Sequence, residues 1–291
     1  MQLLGFADSH AQTVALAEAL DAPWDEIEIH HFPDGESKLR LPASLPDRVV
    51  LCRSLDDPNA KLIELLLAAR GARELGARHL SLVCPYLGYM RQDAAFAPGE
   101  VVSQRAIGQF LADLFEEVIT VDPHLHRVAH LSDAVPARRA VALGVATTAG
   151  AFLSSKPGRP LLLGPDSESR KWVQAVADVA KLPFAVAEKR RLGDRSVEVH
   201  LPDRDYAGLD VMLVDDMAST GRTLARAASA LTAAGARRIE ALVTHALFVD
   251  DALTHLSAAG VARVYSSDSI PPPTNAFPLA PLLAEALTKP G

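Results

Sequence analysis

Val211-Met212-Leu213-Val214-Asp215-Asp216-Met217-Ala218-Ser219-Thr220-Gly221-Arg222-Thr223-Leu224 runs from an apolar stretch, through two adjacent carboxylates and a turn of small and hydroxyl residues, into a helical pattern. The apolar run Val211–Val214 reads as a buried strand, and Thr223 to Ala234 reads as a helix. Ligands of α/β sheets bind at the carboxyl ends of the strands, so this turn is the first place to look for chemistry. Backbone N–H groups at a helix N-terminus point at an anion, and the helix dipole favours negative charge there. Thr220 and Thr223 add hydroxyl donors, and Gly221 lets the backbone come close to a phosphate. Asp215 and Asp216 can accept hydrogen bonds from vicinal hydroxyls, directly or through a magnesium ion. A phosphate at one end and hydroxyls at the other describe ribose 5-phosphate. The competing reading is an acidic strand end with Ser219 as an ordinary helix cap.

The same alternation extends over the whole chain. Apolar runs occur at Val49–Cys52, His79–Cys84, Val118–Val121 and Leu161–Leu163, with helical patterns at Ala60–Leu75, Ser103–Leu114, Arg170–Ala180 and Leu282–Leu287. Strand and helix in turn predict βαβ units and mostly parallel sheets, that is, an α/β protein. With 291 residues there is room for two cores. The Lys156-Pro157-Gly158-Arg159-Pro160 turn opens a second series, so domains are expected at 1–145 and 146–291, with the terminal helix free to pack back on the first.

Composition narrows the function classes. A formal charge of −7 weighs against nucleic acid as a partner but leaves small phosphorylated ligands open. No apolar run approaches the roughly 20 residues that cross a bilayer, and the N-terminus lacks the pattern of a secretory signal. Cys52 and Cys84 form no C-x-x-C pair, which favours a reducing, cytoplasmic setting over disulfide or zinc chemistry.

The Asp215–Thr223 loop resembles the phosphoribosyl pyrophosphate-binding loop of type I phosphoribosyltransferases and of ribose-phosphate pyrophosphokinases. Four further segments are similar to the pyrophosphokinase family in particular. They are Phe32-Pro33-Asp34-Gly35-Glu36, the Arg91-Gln92 pair after Pro85–Met90, Val121-Asp122-Pro123-His124, and Gly164-Pro165-Asp166 followed by Glu188-Lys189-Arg190-Arg191. The resemblance implies two phosphoribosyltransferase-like domains, each a mostly parallel sheet flanked by helices. It further implies that Phe32, Asp34 and Glu36 contact the adenine of ATP from a neighbouring subunit, and that Arg91 and Gln92 line the ATP site. His124 and Asp166 would attend the magnesium, with Asp122 orienting His124, and Lys189 and Arg191 would begin a loop over the reacting phosphates. Asp215, Asp216, Ser219, Thr220, Gly221, Arg222 and Thr223 would hold ribose 5-phosphate. The implied reaction makes phosphoribosyl pyrophosphate and AMP, in at least a homodimer.

Some positions depart from the family pattern. Ser167-Glu168-Ser169 replaces small residues, and Ala94-Ala95-Phe96-Ala97 replaces a basic stretch, so weak activation by inorganic phosphate is expected. Ser219 and Arg222 stand where many members have Asp and Gly, and the chain is as short as the compact archaeal-type branch. The rival readings are a phosphoribosyltransferase, which shares only the Asp215–Thr223 loop, and a non-catalytic regulatory relative.

Overall fold

A computed structural model describes residues 1–125, 127–191, 197–271 and 273–289. The chain divides into two compact units, Met1–Gly144 with Leu279–Gly291, and Val145–Pro278.

The first unit runs β1 (Gln2–Gly5), α1 (His10–Leu20), β2 (Trp24–Glu26), β3 (Glu28–His31), β4 (Ser37–Arg40), β5 (Arg48–Cys52), α2 (Pro58–Glu74), β6 (His79–Cys84), α3 (Ser103–Leu114), β7 (Glu117–Val121), α4 (Leu131–Ala134) and β8 (Arg139–Leu143). Six strands form one sheet in the order β2-β1-β5-β6-β7-β8, every pair parallel. Strands covered by helices on both faces need apolar side chains on both, which is why Val49–Cys52 and Leu80–Cys84 read as continuous apolar runs. On α2, Leu62, Leu65, Ala69 and Ala72 recur at helical spacing and join the buried core with Leu51, Leu82 and Val118. Cys52 and Cys84 are distant in sequence but lie on adjacent strands as buried free thiols, and burial pushes the Cys84 thiol up against the opposing Leu55 backbone bond.

The second unit repeats this plan. It runs α5 (Ala146–Ser155), β9 (Leu161–Gly164), α6 (Arg170–Ala180), β10 (Phe184–Val186), β11 (Glu188–Arg191), β12 (Val197–His200), β13 (Asp210–Ala218), α7 (Arg222–Ala233), β14 (Arg238–Ala246), α8 (Ala252–Ala258), β15 (Val261–Ser267) and β16 (Asn275–Phe277). The sheet order is β10-β9-β13-β14-β15-β16, again parallel throughout. In each unit an antiparallel hairpin, β3–β4 or β11–β12, precedes the strand at which the order reverses. The last helix, α9 (Ala280–Thr288), belongs to the first unit, where Arg48 and Arg139 donate to the carbonyls of Leu287 and Ala286 at 3.1 and 3.0 Å. Those contacts suit a helix C-terminus, whose last carbonyls lack intrahelical partners.

Both α/β sheets are therefore those expected from the alternating pattern. Two local readings change. The strand predicted at Val211–Val214 continues to Ala218, because the ladder to β14 holds through Asp215↔Val243 and Met217↔His245. The turn predicted at Phe32–Glu36 is the tip of a true hairpin, with Phe32 N–H donating to the Glu36 carbonyl at 2.8 Å.

Candidate functional site

In the second unit, strand order reverses between β9 and β13, and such a switch point opens a crevice at the carboxyl ends of the two strands. Asp166 follows β9. Asp215 and Asp216 lie near the end of β13, before Met217 and Ala218 complete the strand, Asp215 half-buried and Asp216 only 4% exposed. Ser219 and Thr220 form the bend, and Gly221 is the N-cap of α7 at φ +67°. No side chain caps this helix, so the reading of Ser219 as an ordinary cap does not hold. Uncapped N–H groups at the start of a 12-residue helix are the donors an anion would meet. Arg222 begins the helix exposed, and Thr223 follows half-buried.

Sequence reasoning missed the support behind this loop. Phe248 and Val249, after β14, donate N–H to the carbonyls of Ala218 and Ser219 at 3.0 and 3.2 Å. A Cβ on Gly221 would lie 3.2 Å from Leu256 Cγ of α8. Gly221→Val thus meets both the left-handed backbone penalty and a packed neighbour. We expect it to lower stability by a cost on the order of 1–2 kcal/mol, seen as a lower thermal midpoint.

Asp166 is 6% exposed, and its Oδ1 accepts N–H from Glu168 and Ser169 at 3.0 and 3.2 Å. It therefore caps the short turn leading into α6, a structural duty beside the one expected of it. Glu168, the unexpected carboxylate, is exposed. Lys189 and Arg191 occupy β11, paired in register with Val199 and Val197. The roles expected of their side chains lie outside the described part of the chain, as does the connecting stretch 192–196.

In the first unit the residues expected at the nucleotide lie in the loops that follow strands of the sheet or on the hairpin. Phe32 is 40% exposed at the tip and meets His30 edge-on, with ring centroids 4.8 Å apart. Asp34 and Glu36 are exposed beside it. Arg91 and Gln92 follow β6, Arg91 exposed and Gln92 donating to the Ala94 carbonyl at 2.9 Å. The next residue, Asp93, is buried and takes Arg127 Nη1 at 2.6 Å, while Arg127 also covers the exposed Phe96 ring. His124 follows β7 half-buried after Asp122, whose φ is +37°. His126 is outside the described residues, and His130 forms a capping box with Asp133.

The loop after β6 rests on the loop after β5. Leu55 N–H donates to the Tyr86 carbonyl at 2.8 Å, and a Cβ on Gly88 would lie 2.5 Å from the Leu55 carbonyl oxygen. Backbone cannot yield as a side-chain tip can. Gly88→Ala is therefore expected to cost about 1–3 kcal/mol of stability, seen as a lower thermal midpoint.

Among the described residues no three His, Cys, Asp or Glu side chains gather as a metal cage. Magnesium seldom needs one, since it keeps several waters and binds substrate phosphates through one or two carboxylates. Asp166, Asp215 and Asp216 are oxygen donors of that kind, on the carboxyl ends of adjacent strands. They fit an ion that arrives on phosphates.

Comparison with known proteins decides the family. The model of the N-terminal domain of ribose phosphate pyrophosphokinase matches residues 1–114, and that of the phosphoribosyl transferase domain matches 133–255. The chain belongs to the ribose-phosphate pyrophosphokinase family. Ribose-phosphate pyrophosphokinase from Methanopyrus kandleri is 37% identical over 94% of this chain and 93% of that protein. The Thermococcus kodakarensis pyrophosphokinase is 34% identical over 89% and 90%. The crystal structure of phosphoribosylpyrophosphate synthetase from Mycobacterium smegmatis has the same fold, with a TM-score of 0.83 over 98% of this chain and 97% of that one at 22% identity. This pyrophosphokinase fold contains, among its described residues, no helix long and apolar enough to cross a membrane.

Proposed function

We propose that this chain transfers the pyrophosphoryl group of ATP to the C1 hydroxyl of ribose 5-phosphate, giving phosphoribosyl pyrophosphate and AMP. The observation that carries this reading is the uncapped start of α7 at the β9/β13 switch point, with Asp215 and Asp216 on the strand before it. The first unit's Phe32, Asp34, Glu36, Arg91 and Gln92 separate this reading from that of a simple phosphoribosyltransferase, which uses no ATP as a donor.

The anomeric oxygen attacks the β-phosphorus. The bond from that phosphorus to the α,β-bridging oxygen breaks, AMP leaves with the oxygen, and the hydroxyl proton is released. Phosphoryl chemistry of this kind relies on in-line positioning and charge neutralisation more than on covalent catalysis. Asp215 and Asp216 hold the ribose hydroxyls. Ser219, Thr220, Gly221, Arg222 and Thr223 hold the 5-phosphate through hydroxyls, the guanidinium and backbone N–H groups. Phe32 offers its face to adenine, and Asp34 and Glu36 accept from an exocyclic amine. Arg91 pairs with phosphate oxygens and Gln92 supports it. Lys189 and Arg191 stabilise charge on the transferring oxygens. Magnesium carried on ATP would offset phosphate charge: in the first unit His124 is the residue that would contact such an ion, and in the second unit Asp166, beside Asp215 and Asp216, offers it a carboxylate.

In this reading the two units are functional domains, one for nucleotide and one for sugar phosphate. The protein acts in the cytoplasm as at least a homodimer, because the exposed Phe32 tip serves a neighbouring copy. Light scattering should then give at least twice the chain mass, and a monomer with full activity would contradict that part. The reaction is tested by incubating the protein with ATP, magnesium and ribose 5-phosphate. AMP should form only when the sugar phosphate is present. Ligand binding without AMP would favour the regulatory relative.

A further inference from the structure

At the switch point of the second unit, β9 and β13 lead into the Asp-Asp loop. At the matching point of the first unit, between β1 and β5, the protein's own charges occupy the carboxyl ends. Asp8 follows β1 and Arg53 follows β5. Arg53 is 5% exposed, donates Nε and Nη2 to Asp8 Oδ2 at 3.1 and 3.0 Å, and lies 4.1 Å over the Phe6 ring. Its Nη1 stands 2.6 Å from Glu64 Oε2, an ionic contact rather than an aligned hydrogen bond.

Glu64 is a carboxylate inside the apolar run Ile63–Leu67 of α2, only 2% exposed. A buried pair of this kind adds little net stability over apolar packing, and its best-attested use is to fix register. Here the second oxygen indicates what is fixed. Glu64 Oε1 accepts from Ser37 Oγ at 3.2 Å and lies 3.7 Å from His31 Nδ1. His31 and Ser37 face each other in the β3–β4 register and also meet directly at 3.2 Å. They are the last pair before the tip that carries Phe32, Asp34 and Glu36. Ile29, Leu39 and Leu41 seat the hairpin on the core by apolar contact, which resists sliding weakly, whereas the polar clamp is directional.

We propose that Glu64, held by Arg53, which Asp8 in turn anchors, is a positioning residue for the nucleotide: it clamps the His31–Ser37 pair and so sets the direction in which the hairpin tip presents Phe32, Asp34 and Glu36. The inference rests on the nucleotide reading of that tip.

Steady-state AMP formation by the full-length protein tests it, with Ser37→Ala, Ser37→Thr, Glu64→Gln and Phe32→Ala compared with the unaltered chain. Ser37→Ala should raise the KM for ATP about three- to tenfold, the loss of one hydrogen bond. It should leave kcat and the KM for ribose 5-phosphate within about twofold, with an unchanged thermal midpoint. Ser37→Thr, which restores the hydroxyl, should recover most of the ATP affinity. Glu64→Gln should raise the ATP KM by on the order of tenfold or more, since a charged contact is lost. An unchanged ATP KM in both Ser37→Ala and Glu64→Gln overturns the proposal, provided Phe32→Ala raises it. An equal rise for both substrates with a lower thermal midpoint also overturns it, because the network is then only structural. If Phe32→Ala leaves the ATP KM unchanged, the nucleotide reading itself fails and the clamp fails with it.

Discussion

Replacing Lys189 by alanine is expected to lower kcat about 10²–10³-fold, the usual loss when a donor aimed at developing charge is removed, while ATP still binds. The reasoning is one of timing. Charge on the transferring oxygens grows only as the β-phosphorus changes partners, so a cation placed for that moment contributes to turnover and little to ground-state binding. Arg191, two residues further along β11, should behave in the same way. The check is a paired measurement of kcat and of the ATP dissociation constant at equilibrium. Equal losses in both would remove Lys189 from the catalytic role.

Asp215→Asn and Asp216→Asn form the second large effect, and it falls on the other substrate. A carboxylate accepting from a sugar hydroxyl makes a charge-assisted bond of about 1.5–3 kcal/mol, so each change should raise the KM for ribose 5-phosphate roughly ten- to hundredfold. The ATP dissociation constant should stay close to that of the unaltered protein. Asparagine keeps the shape of the side chain, which matters because Asp216 lies within the strand ladder and is almost fully buried. Titration calorimetry with each ligand separates the two affinities. A loss that appears for ATP and not for the sugar phosphate would reverse the assignment.

The parts of the fold that could be read from sequence are those in which the side-chain pattern and the backbone agree. His79–Cys84, Ser103–Leu114 and Arg170–Ala180 have the limits expected of them, since apolar spacing and turn residues mark the same ends. β13 was harder to read. Two carboxylates end the apolar run, but the hydrogen-bond ladder depends on backbone alone and continues to Ala218. The β3–β4 hairpin lacks a clean alternation because most of it faces solvent, so only the Pro-Asp-Gly turn at its tip was legible. At the candidate site, the acid pair followed by small and hydroxyl residues singled out the Asp215–Thr223 loop in the sequence, whereas the uncapped start of α7 is visible only in the structure. The backbone support from Phe248 and Val249 was hidden, because main-chain donors carry no residue signature. Asp166 showed the opposite limit: its type suggested metal, whereas its geometry adds a capping role that type alone cannot reveal. Glu64 did leave a signal, a lone charge inside an apolar helical run, which a reading focused on motifs passes over.

Transfer of an intact pyrophosphoryl group to the sugar is tested most directly by ³¹P NMR of the reaction with ATP carrying ¹⁸O on its β-phosphoryl oxygens, because that isotope shifts the signal of the phosphorus that bears it. The shifted signal should appear at the phosphorus joined through oxygen to C1 of phosphoribosyl pyrophosphate, with one AMP formed per labelled product. Label recovered in ADP, or AMP released without a labelled sugar product, would contradict it.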